Sequence, residues 1–576
     1  MTRPRRLPTG LAAGAILLSL FFVFDHTRED SLSADEPVHI LAGYLNVWAS
    51  NAIVNIEHPP LMKILAGFAL RFLPLPPPPE RVPLGESFTR FGHAFLFENR
   101  VSPDAIAAAA RAPFLLVLAG VLILAFVAGR GRYGTAPPAC AAAVLAFDPN
   151  LVAHAGVVHT DVGAAFFFLA SVLAWERARK RPTPFRIGLA ALVLGLAFAT
   201  KFSTVYLVPI LLLQTLLAGG KGAGGLREMG AALGRLALAG AGAVLVLFFV
   251  YWTVTQRVNP QEQHRVIEEM VGMRGAPGLA RRIQHLASWS PALGHYAGGL
   301  ASVARQNAVG GGVNYLNGRI STTGFPEYFF VAFLVKSTIA FLLLTALAIW
   351  GARRWRLKEE TRLFLLPVGV LFLASINAGY NIGIRHLLPV YPFLALSGAA
   401  VIAKAREGPK EGRGARAAAW ALVLLPALSL AELVRIHPHE LSYFNPAAGG
   451  PEKGGRILSD SNVDWGLDLR RLGLKLSREN VQEPTVAYFG GDDVPYRVGV
   501  PDFSADPRVR GRRVVLSAFH LAVGPEFYAY HGAHRVATAL EALRAEATRR
   551  KPVGRVGYSL YLFDLEPETP GGEATR

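Results

Sequence analysis

The residues that could do chemistry in this sequence are concentrated in one stretch, SADEPVHILAGYLNVWASNAIVNIEHPPLMK, at positions 33–63. Its ionisable side chains form two groups. The first group is Asp35, Glu36 and His39, and the second is Glu57, His58 and Lys63. Carboxylates, imidazoles and an ammonium group brought together suit the transfer of a group to a hydroxyl. A carboxylate removes the proton of the acceptor, and cations hold a phosphate leaving group. This stretch is therefore the candidate active site.

A purely structural role accounts for part of the pattern. The tripeptide DEP at 35–37 is typical of a helix start, because acids stabilise the first turn and proline suits its first position. That explanation leaves out the second group, where the proline pair at 59–60 breaks any helix and predicts a fixed bend. Glu57 and His58 could still serve only to brace this loop.

The chain as a whole is too apolar for a soluble protein of its length. Of its 576 residues, 52% are hydrophobic, and the mean hydropathy is +0.33. Windows of about 20 apolar residues recur, and each is long enough to cross about 30 Å of hydrocarbon. We therefore predict a polytopic α-helical membrane protein.

The charge balance points to membrane topology and not to nucleic acid. The chain has 59 Lys and Arg against 41 Asp and Glu, a net charge of +18. Much of the excess lies in short loops between apolar runs, where basic residues set orientation. The one cysteine, Cys140, excludes an internal disulfide.

About eleven transmembrane helices are predicted. The runs are 8–24, 105–129, 136–154, 160–175, 187–200, 203–218, 233–253, 325–350, 361–378, 387–403 and 416–435. The first is interpreted as a retained signal anchor, since no small-residue cleavage site precedes Asp25. The loops RGRYG, ERARKRPTPFR, KGAGGLREMGAALGR, ARRWRLKEETR and AKAREGPKEGRGAR are all basic, which predicts that they and the N-terminus face the cytoplasm.

This topology divides the chain into a transmembrane catalytic domain, 1–435, and a soluble extracytoplasmic α/β domain, 436–576. The first carries two large outer loops, 25–104 and 254–324. In the second, TVAYFG, RVVLSAF and GYSLYLFDL are typical of strands, and DWGLDLRRLGLKL is typical of an amphipathic helix.

Three acids at spacing four, Asp460, Asp464 and Asp468, are predicted on one face of that helix. They could cap it or hold a metal ion.

Five segments together resemble the GT-C superfamily of membrane glycosyltransferases. They are DE at 35–36 with HPPL-x-K at 58–63, HTDVGAAFFFLAS, YLNGRISTTGFPEYFFVAFLVKST, NAGYNIGIRHLLPVYPF and YFNPAAGGPEKGGRILSDSNVDWGLDLRRL. The greatest similarity is to the protein O-mannosyltransferase (family 39) and aminoarabinose transferase group. Met62 stands where that group has glycine.

The resemblance implies an enzyme that moves a hexosyl or pentosyl group from a polyprenyl-phosphate carrier to a lipid, glycan or protein acceptor. The reaction would occur at the outer face of a bacterial inner (plasma) membrane. Asp35 would be the general base, and Glu36 would orient it or the acceptor. The residues implied to bind the donor phosphate or substrate are Glu57, His58, Lys63, Asp161 and Arg385. A single displacement would invert the anomeric centre, since no second carboxylate is evidently placed as a nucleophile.

Several alternatives stay open at this point. A non-enzymatic transporter or flippase of a lipid-linked sugar would show polar groups deep within its spans and internal repeats, and neither is evident. Arg385 could be a boundary residue whose side chain extends to the surface, and Asp161 could cap a helix. No cofactor is certain, although a divalent cation could lie between the acids, as in some members of the superfamily.

Overall fold

Every apolar run of the sequence folds as helix in the computed structural model, which describes residues 6–79, 88–219, 223–407 and 412–565. The helices up to residue 255 are α1 Arg6–Thr27, α2 Glu36–Trp48, α3 Leu61–Ala69, α4 Phe88–Phe97, α5 Pro103–Tyr133, α6 Ala136–Ala146, α7 Pro149–Ala155, α8 Asp161–Lys180, α9 Pro184–Phe198, α10 Leu207–Leu217 and α11 Ala223–Thr255. The basic N-terminus at 1–5 and parts of two basic loops, 220–222 and 408–411, lie outside the described residues.

The middle of the chain continues the helical part. Its helices are α12 Pro260–Ile267, α13 Pro277–Trp289, α14 Pro291–Val309, α15 Tyr328–Lys336, α16 Ile339–Arg354, α17 Lys358–Glu360, α18 Leu366–Ile376, α19 Val390–Arg406 and α20 Arg413–Ile436. A hairpin of β1 Asn314–Leu316 and β2 Arg319–Ser321 precedes α15.

Within the described residues, four helices are long and apolar enough to cross a membrane by length and composition: α1, α5, α11 and α20. The number is six if two bent helix pairs, α6 with α7 and α15 with α16, each form one span. Helix α9 and the stretch Phe202–Leu217 are shorter and also apolar. The fold is therefore that of a helical membrane protein with several apolar spans. The predicted number of eleven and the predicted orientation are not confirmed.

Two runs predicted as single helices are each broken in the structure. The run 136–154 bends by 61° between α6 and α7, where the Asp148 carboxylate accepts hydrogen bonds from the first backbone N–H groups of α7. The run 325–350 bends by 118° between α15 and α16, where Thr338 is extended and caps α16. In both cases a side-chain oxygen satisfies the new helix start, and that allows the break.

The C-terminal part forms a mixed sheet. Its helices are α21 Pro451–Gly454, α22 Leu469–Arg478, α23 Val494–Val498, α24 Ala518–Tyr530 and α25 His534–Thr548, and its strands are β3 Thr485–Ala487, β4 Arg513–Ser517, β5 Gly554–Val556 and β6 Leu560–Asp564. The strand order is β3-β4-β6-β5, with β3 and β4 parallel and the other pairs antiparallel. Helices α22 and α25 cover opposite faces of this sheet. The three predicted strands and the amphipathic helix are thus confirmed as elements.

The prediction that Asp460, Asp464 and Asp468 share one helical face is wrong. Helix α22 begins only at Leu469, and the three acids lie in the turns before it. Gly466 adopts φ +95° in this segment, a conformation that interrupts a right-handed helix.

The C-terminal part joins the helical part beside the candidate active site. The backbone N–H of Ser31 donates to Leu467 O at 2.9 Å, and that of Ala34 donates to Trp465 O at 3.0 Å. The segment that leads into α2 is therefore held by the C-terminal part directly before Asp35.

Helices α2 and α3 approach so closely that only glycine fits between them. A Cβ atom at Gly43 would lie 2.5 Å from Lys63 O, and one at Gly67 would lie 2.0 Å from Gly43 O. This contact fixes the second ionisable group of the sequence against the first, because α3 follows the HPP bend.

Replacing Gly67 with alanine should therefore force the two backbones apart. We expect Gly67→Ala to lower the free energy of unfolding by about 1–3 kcal/mol, the usual cost of overpacking, measured by thermal and denaturant unfolding of the detergent-purified chain. The matched control is Gly188→Ala in α9, where a Cβ would meet nothing within 4 Å, and it should be neutral or slightly stabilising. Equal stability of both variants would contradict the close α2–α3 contact.

Candidate active site

The side chains of the site lie at helix starts and in the short turns between helices. Asp35 immediately precedes α2, and Arg385 lies in the short turn Ile384–Leu387 before α19. His159 comes two residues before Asp161, the first residue of α8. Lys201 lies between α9 and the turn that leads into α10. Tertiary packing brings these breaks together.

Asp35 is the accessible carboxylate of this cluster. Its Oδ2 lies 3.4 Å from Arg385 Nη1 and 3.4 Å from His159 Nε2. The Asp35 side chain is 37% exposed, whereas those of Arg385 and His159 are 4% and 2% exposed. A molecule approaching the cluster therefore meets Asp35, with the guanidinium and the imidazole behind it.

Asp161 lies deeper and is held on several sides. His159 Nδ1 lies 2.6 Å from Asp161 Oδ2, and Lys201 Nζ donates to Asp161 Oδ1. Arg385 Nη1 lies 3.9 Å from Asp161 Oδ2. Asp161 is 1% exposed, so its carboxylate is shielded by the cations that surround it. The structure thus brings together three of the predicted site residues, Asp35, Asp161 and Arg385.

The environment keeps Asp35 ionised. Burial alone would raise its pKa, but the contact with His159 and the charge of Arg385 outweigh that effect and hold the pKa of Asp35 well below its usual range. At neutral pH the group is a carboxylate and can accept a proton.

An aromatic ring supports the cationic part of the cluster. The guanidinium carbon of Arg385 lies 4.4 Å from the centroid of the Trp465 ring, a distance suited to a cation–π contact. The His159 ring centroid lies 5.5 Å from the same ring. Trp465 therefore contributes a wall of the site from the C-terminal part of the chain.

Glu36 is fully buried and forms an ion pair with Arg111 of α5. Arg111 Nε and Nη2 each donate to the Glu36 carboxylate at 2.7 Å. The backbone N–H groups of Ser33 and Val158 donate to it at 2.8 and 3.0 Å. Since Glu36 is 0% exposed, these contacts favour a role in orienting Asp35 over contact with an acceptor.

Lys63 faces the loop and not the cluster around Asp35. Its Nζ donates to the carbonyl oxygens of Asn55 and His58, both at 2.8 Å, and burial lowers its pKa to about 7. The Glu57 carboxylate accepts a hydrogen bond from Arg274 Nη1 at 3.1 Å. Glu57 therefore contacts the 254–324 loop. The predicted phosphate contact of Lys63 stays a prediction.

The rings of His39, His58 and His159 form a compact group beside Asp35. The centroid distances are 4.7 Å for His39 to His58, 4.7 Å for His39 to His159 and 5.1 Å for His58 to His159. The structure therefore places His58 beside His159, and its predicted role in binding the donor stays a prediction.

The sequence reasoning did not assign roles to Arg111, His159, Lys201 or Trp465. A signal for two of them was present. Lys201 lies between the apolar runs 187–200 and 203–218, a junction that the predicted topology puts on the same side as Asp35. Arg111 lies within an apolar run, where an ionisable residue is by default a functional candidate. The partner of each depends on tertiary packing, which the sequence pattern does not reveal.

Residues 100–252 match the family model of the dolichyl-phosphate-mannose-protein mannosyltransferases. This stretch includes Arg111, His159, Asp161 and Lys201. The match confirms the resemblance to the GT-C superfamily of membrane glycosyltransferases that the motifs predicted. No curated protein matches the chain in sequence.

Solved structures of two proteins resemble the chain along most of its length. ArnT from Cupriavidus metallidurans bound to undecaprenyl phosphate is 12% identical, with 97% of this chain and 100% of that chain covered and a TM-score of 0.46. The apo form of the Archaeoglobus fulgidus oligosaccharyltransferase is 13% identical, with 93% and 72% covered and a TM-score of 0.48. Its complex with Zn and sulfate is 11% identical, with 91% and 70% covered and a TM-score of 0.46.

Removing the Glu36 carboxylate should destabilise the fold, because Arg111 would be left buried without a counter-charge. We expect Glu36→Ala to lower the free energy of unfolding by about 3–5 kcal/mol, and the double variant Glu36→Ala/Arg111→Met to recover part of that loss. The control is Glu57→Ala, whose partly exposed pair with Arg274 should contribute about 0–1 kcal/mol. Denaturant unfolding of the three variants is the measurement. A stable Glu36→Ala variant with impaired turnover would instead assign Glu36 to substrate contact.

Proposed function

We propose that this chain transfers a sugar from a polyprenyl-phosphate carrier to a hydroxyl of an acceptor, with Asp35 as the general base. The observation that carries this proposal is the arrangement of Asp35: an accessible, ionised carboxylate with the Arg385 guanidinium 3.4 Å away. A proton acceptor and a cation for a phosphate thus lie side by side, as the transfer requires. The family match supports the donor class, since dolichyl phosphate is itself a polyprenyl phosphate.

The donor phosphate would be held by Arg385, with Lys201 behind it. Arg385 offers a planar guanidinium that suits the geometry of a phosphate, and Trp465 keeps this side chain in place. Lys201, which pairs with Asp161, is the second cationic side chain of the site. Lys63 is assigned instead to positioning, because its ammonium group is used by two carbonyl oxygens of the bend.

The reaction would be a single displacement. The acceptor oxygen attacks the anomeric carbon, the bond from that carbon to the phosphate oxygen breaks, and the acceptor proton passes to Asp35. The carrier leaves as polyprenyl phosphate. Inversion is favoured because the second acid, Asp161, is buried and paired with Lys201 and His159. It is therefore not free to form a covalent intermediate.

The site is assigned to the outer face of a bacterial inner membrane, with the 436–576 domain extracytoplasmic. The basic loops predicted on the opposite side support this assignment. The contact of the C-terminal part with the segment before Asp35 supports a role of that domain in shaping the acceptor side of the site.

The role of Asp35 can be tested by Asp35→Asn, which keeps the shape and removes the proton acceptor. We expect transfer to fall at least about a hundredfold, with donor binding largely kept. The assay incubates the purified chain with a panel of radiolabelled polyprenyl-phosphate sugars and measures release of the carrier. Asp25→Asn is the control, since this acid is 44% exposed and contacts His437, and it should turn over normally.

Two results would contradict the assignment of Asp35. Turnover of Asp35→Asn near the wild-type rate would show that another group accepts the proton. Movement of the labelled lipid across vesicles without any carrier release would favour a transporter.

Because Arg385 is assigned to the donor phosphate and Lys63 to positioning, we expect their variants to change different quantities, the donor KM for Arg385 and the Tm for Lys63. Arg385→Gln should raise the KM for the donor roughly ten- to a hundredfold, since a hydrogen bond to a charged group contributes about 1.5–3 kcal/mol. Arg385→Lys should restore only part of this, because an ammonium group cannot form the bidentate contact. Lys63→Met should instead lower the Tm, with a smaller effect on the donor KM. A Lys63→Met variant of normal Tm and raised donor KM would return Lys63 to the phosphate site.

A further inference from the structure

We propose that His39, His58 and His159 form a binding site for one divalent transition-metal ion, of which Zn²⁺ fits best. One ring nitrogen of each histidine can serve as ligand, and these three nitrogens lie within 4.8 Å of one another. Zinc binds imidazole nitrogen at about 2.0–2.1 Å, which places tetrahedral ligands about 3.3 Å apart. Each ring therefore has to move inward by less than about 1 Å.

His39 provides the independent reason to expect a ligand. Its side chain is 1% exposed, and neither Nδ1 nor Nε2 has a hydrogen-bond partner among the described residues. A buried polar group without a partner is costly. A metal ion between the rings would use a His39 lone pair that nothing else uses.

One ring nitrogen of His159 lies against a carboxylate, and the other is available as a ligand. Its Nδ1 lies 2.6 Å from Asp161 Oδ2, and such a carboxylate contact commonly fixes the ring of a metal-binding histidine. Its Nε2 is left as the ligand atom, and it accepts from Arg385 Nη1 at 2.9 Å in the structure. Metal binding would displace this one hydrogen bond, and Arg385 would keep Asp35 as a partner.

The identity of the metal follows from the donors. Three imidazoles with one open position are typical of zinc, whereas Mg²⁺ and Ca²⁺ prefer oxygen ligands. Asp35 and Asp161 are the carboxylates in contact with this group of rings, and they are paired with Arg385 and Lys201. If the proposed transfer function holds, a cation here would free the Arg385 guanidinium from His159, and Arg385 would then be available to the donor phosphate while it stays beside Asp35.

The test is zinc binding by the full-length chain, purified in detergent without a histidine tag, stripped with a chelator and returned to Zn²⁺. Metal content is measured by mass spectrometry, affinity by calorimetry, and site geometry by the visible spectrum of the Co²⁺ form. No donor or acceptor is present, so the outcome is independent of the transfer activity. We expect one tightly bound ion per chain and the intense Co²⁺ absorption of a four-coordinate site.

The variants His39→Gln and His58→Gln should each weaken zinc binding at least about tenfold, since each removes one of three ligands. His520→Gln is the matched control, because this histidine of the C-terminal part is similarly buried, at 3% exposed, and lies outside the cluster. It should bind zinc like the wild type.

Equal zinc affinity of His39→Gln, His58→Gln and the wild type would overturn the proposal. Absence of a tightly bound ion, or the weak spectrum of six-coordinate Co²⁺, would overturn it as well. The spectrum of the wild-type chain decides the matter even if both variants fail to fold.

Discussion

The buried ion pair between Glu36 and Arg111 determines where the reactive groups of this protein can lie. Burying two charges costs several kcal/mol per ion unless their hydrogen bonds are complete, and here the Glu36 carboxylate accepts two from Arg111 and one each from Ser33 N and Val158 N. Asp35 immediately precedes Glu36, and His159 immediately follows Val158. One carboxylate therefore fixes the backbone on both sides of the Asp35–His159 contact.

Two aspartates of the same cluster acquire different properties from their surroundings. Asp161 is enclosed by Lys201 and His159 and is 1% exposed, so it acts as the counter-charge of Lys201 and contacts the His159 ring. Asp35 is 37% exposed and contacts His159 and Arg385 from the accessible side. Accessibility, and not residue type, thus separates the candidate base from the supporting acid. The lowered pKa of Asp35 follows from its contacts with His159 and Arg385, two groups that Asp161 also contacts.

From composition and local periodicity the sequence predicted the helical membrane class and the strands of the C-terminal part, and through its resemblance to the GT-C superfamily it implied one site for Asp35, Asp161 and Arg385. It did not predict the breaks at Asp148 and Thr338, where the cap is evident only once the run is known to end. It also did not reveal that the Lys63 ammonium group lies against two carbonyl oxygens of the bend. The direction of a side chain in a buried loop depends on which backbone carbonyl groups lie near it. The positions of these carbonyl groups cannot be read from the spacing of residues in the sequence.

Under the proposed function, the geometry would couple the strength of Asp35 as a base to the presence of the donor. In the structure Arg385 and His159 hold the pKa of Asp35 well below its usual range, which keeps the group ionised but makes it a weak proton acceptor. Under the proposed function a donor phosphate would compete for Arg385, and its negative charge would offset the cation that lowers this pKa. Asp35 would then become a stronger base only when the leaving group is in place. In the absence of donor, such a site would keep the accessible carboxylate ionised. When donor is bound, the basicity of the carboxylate would rise, and this is the step at which the acceptor hydroxyl must lose its proton.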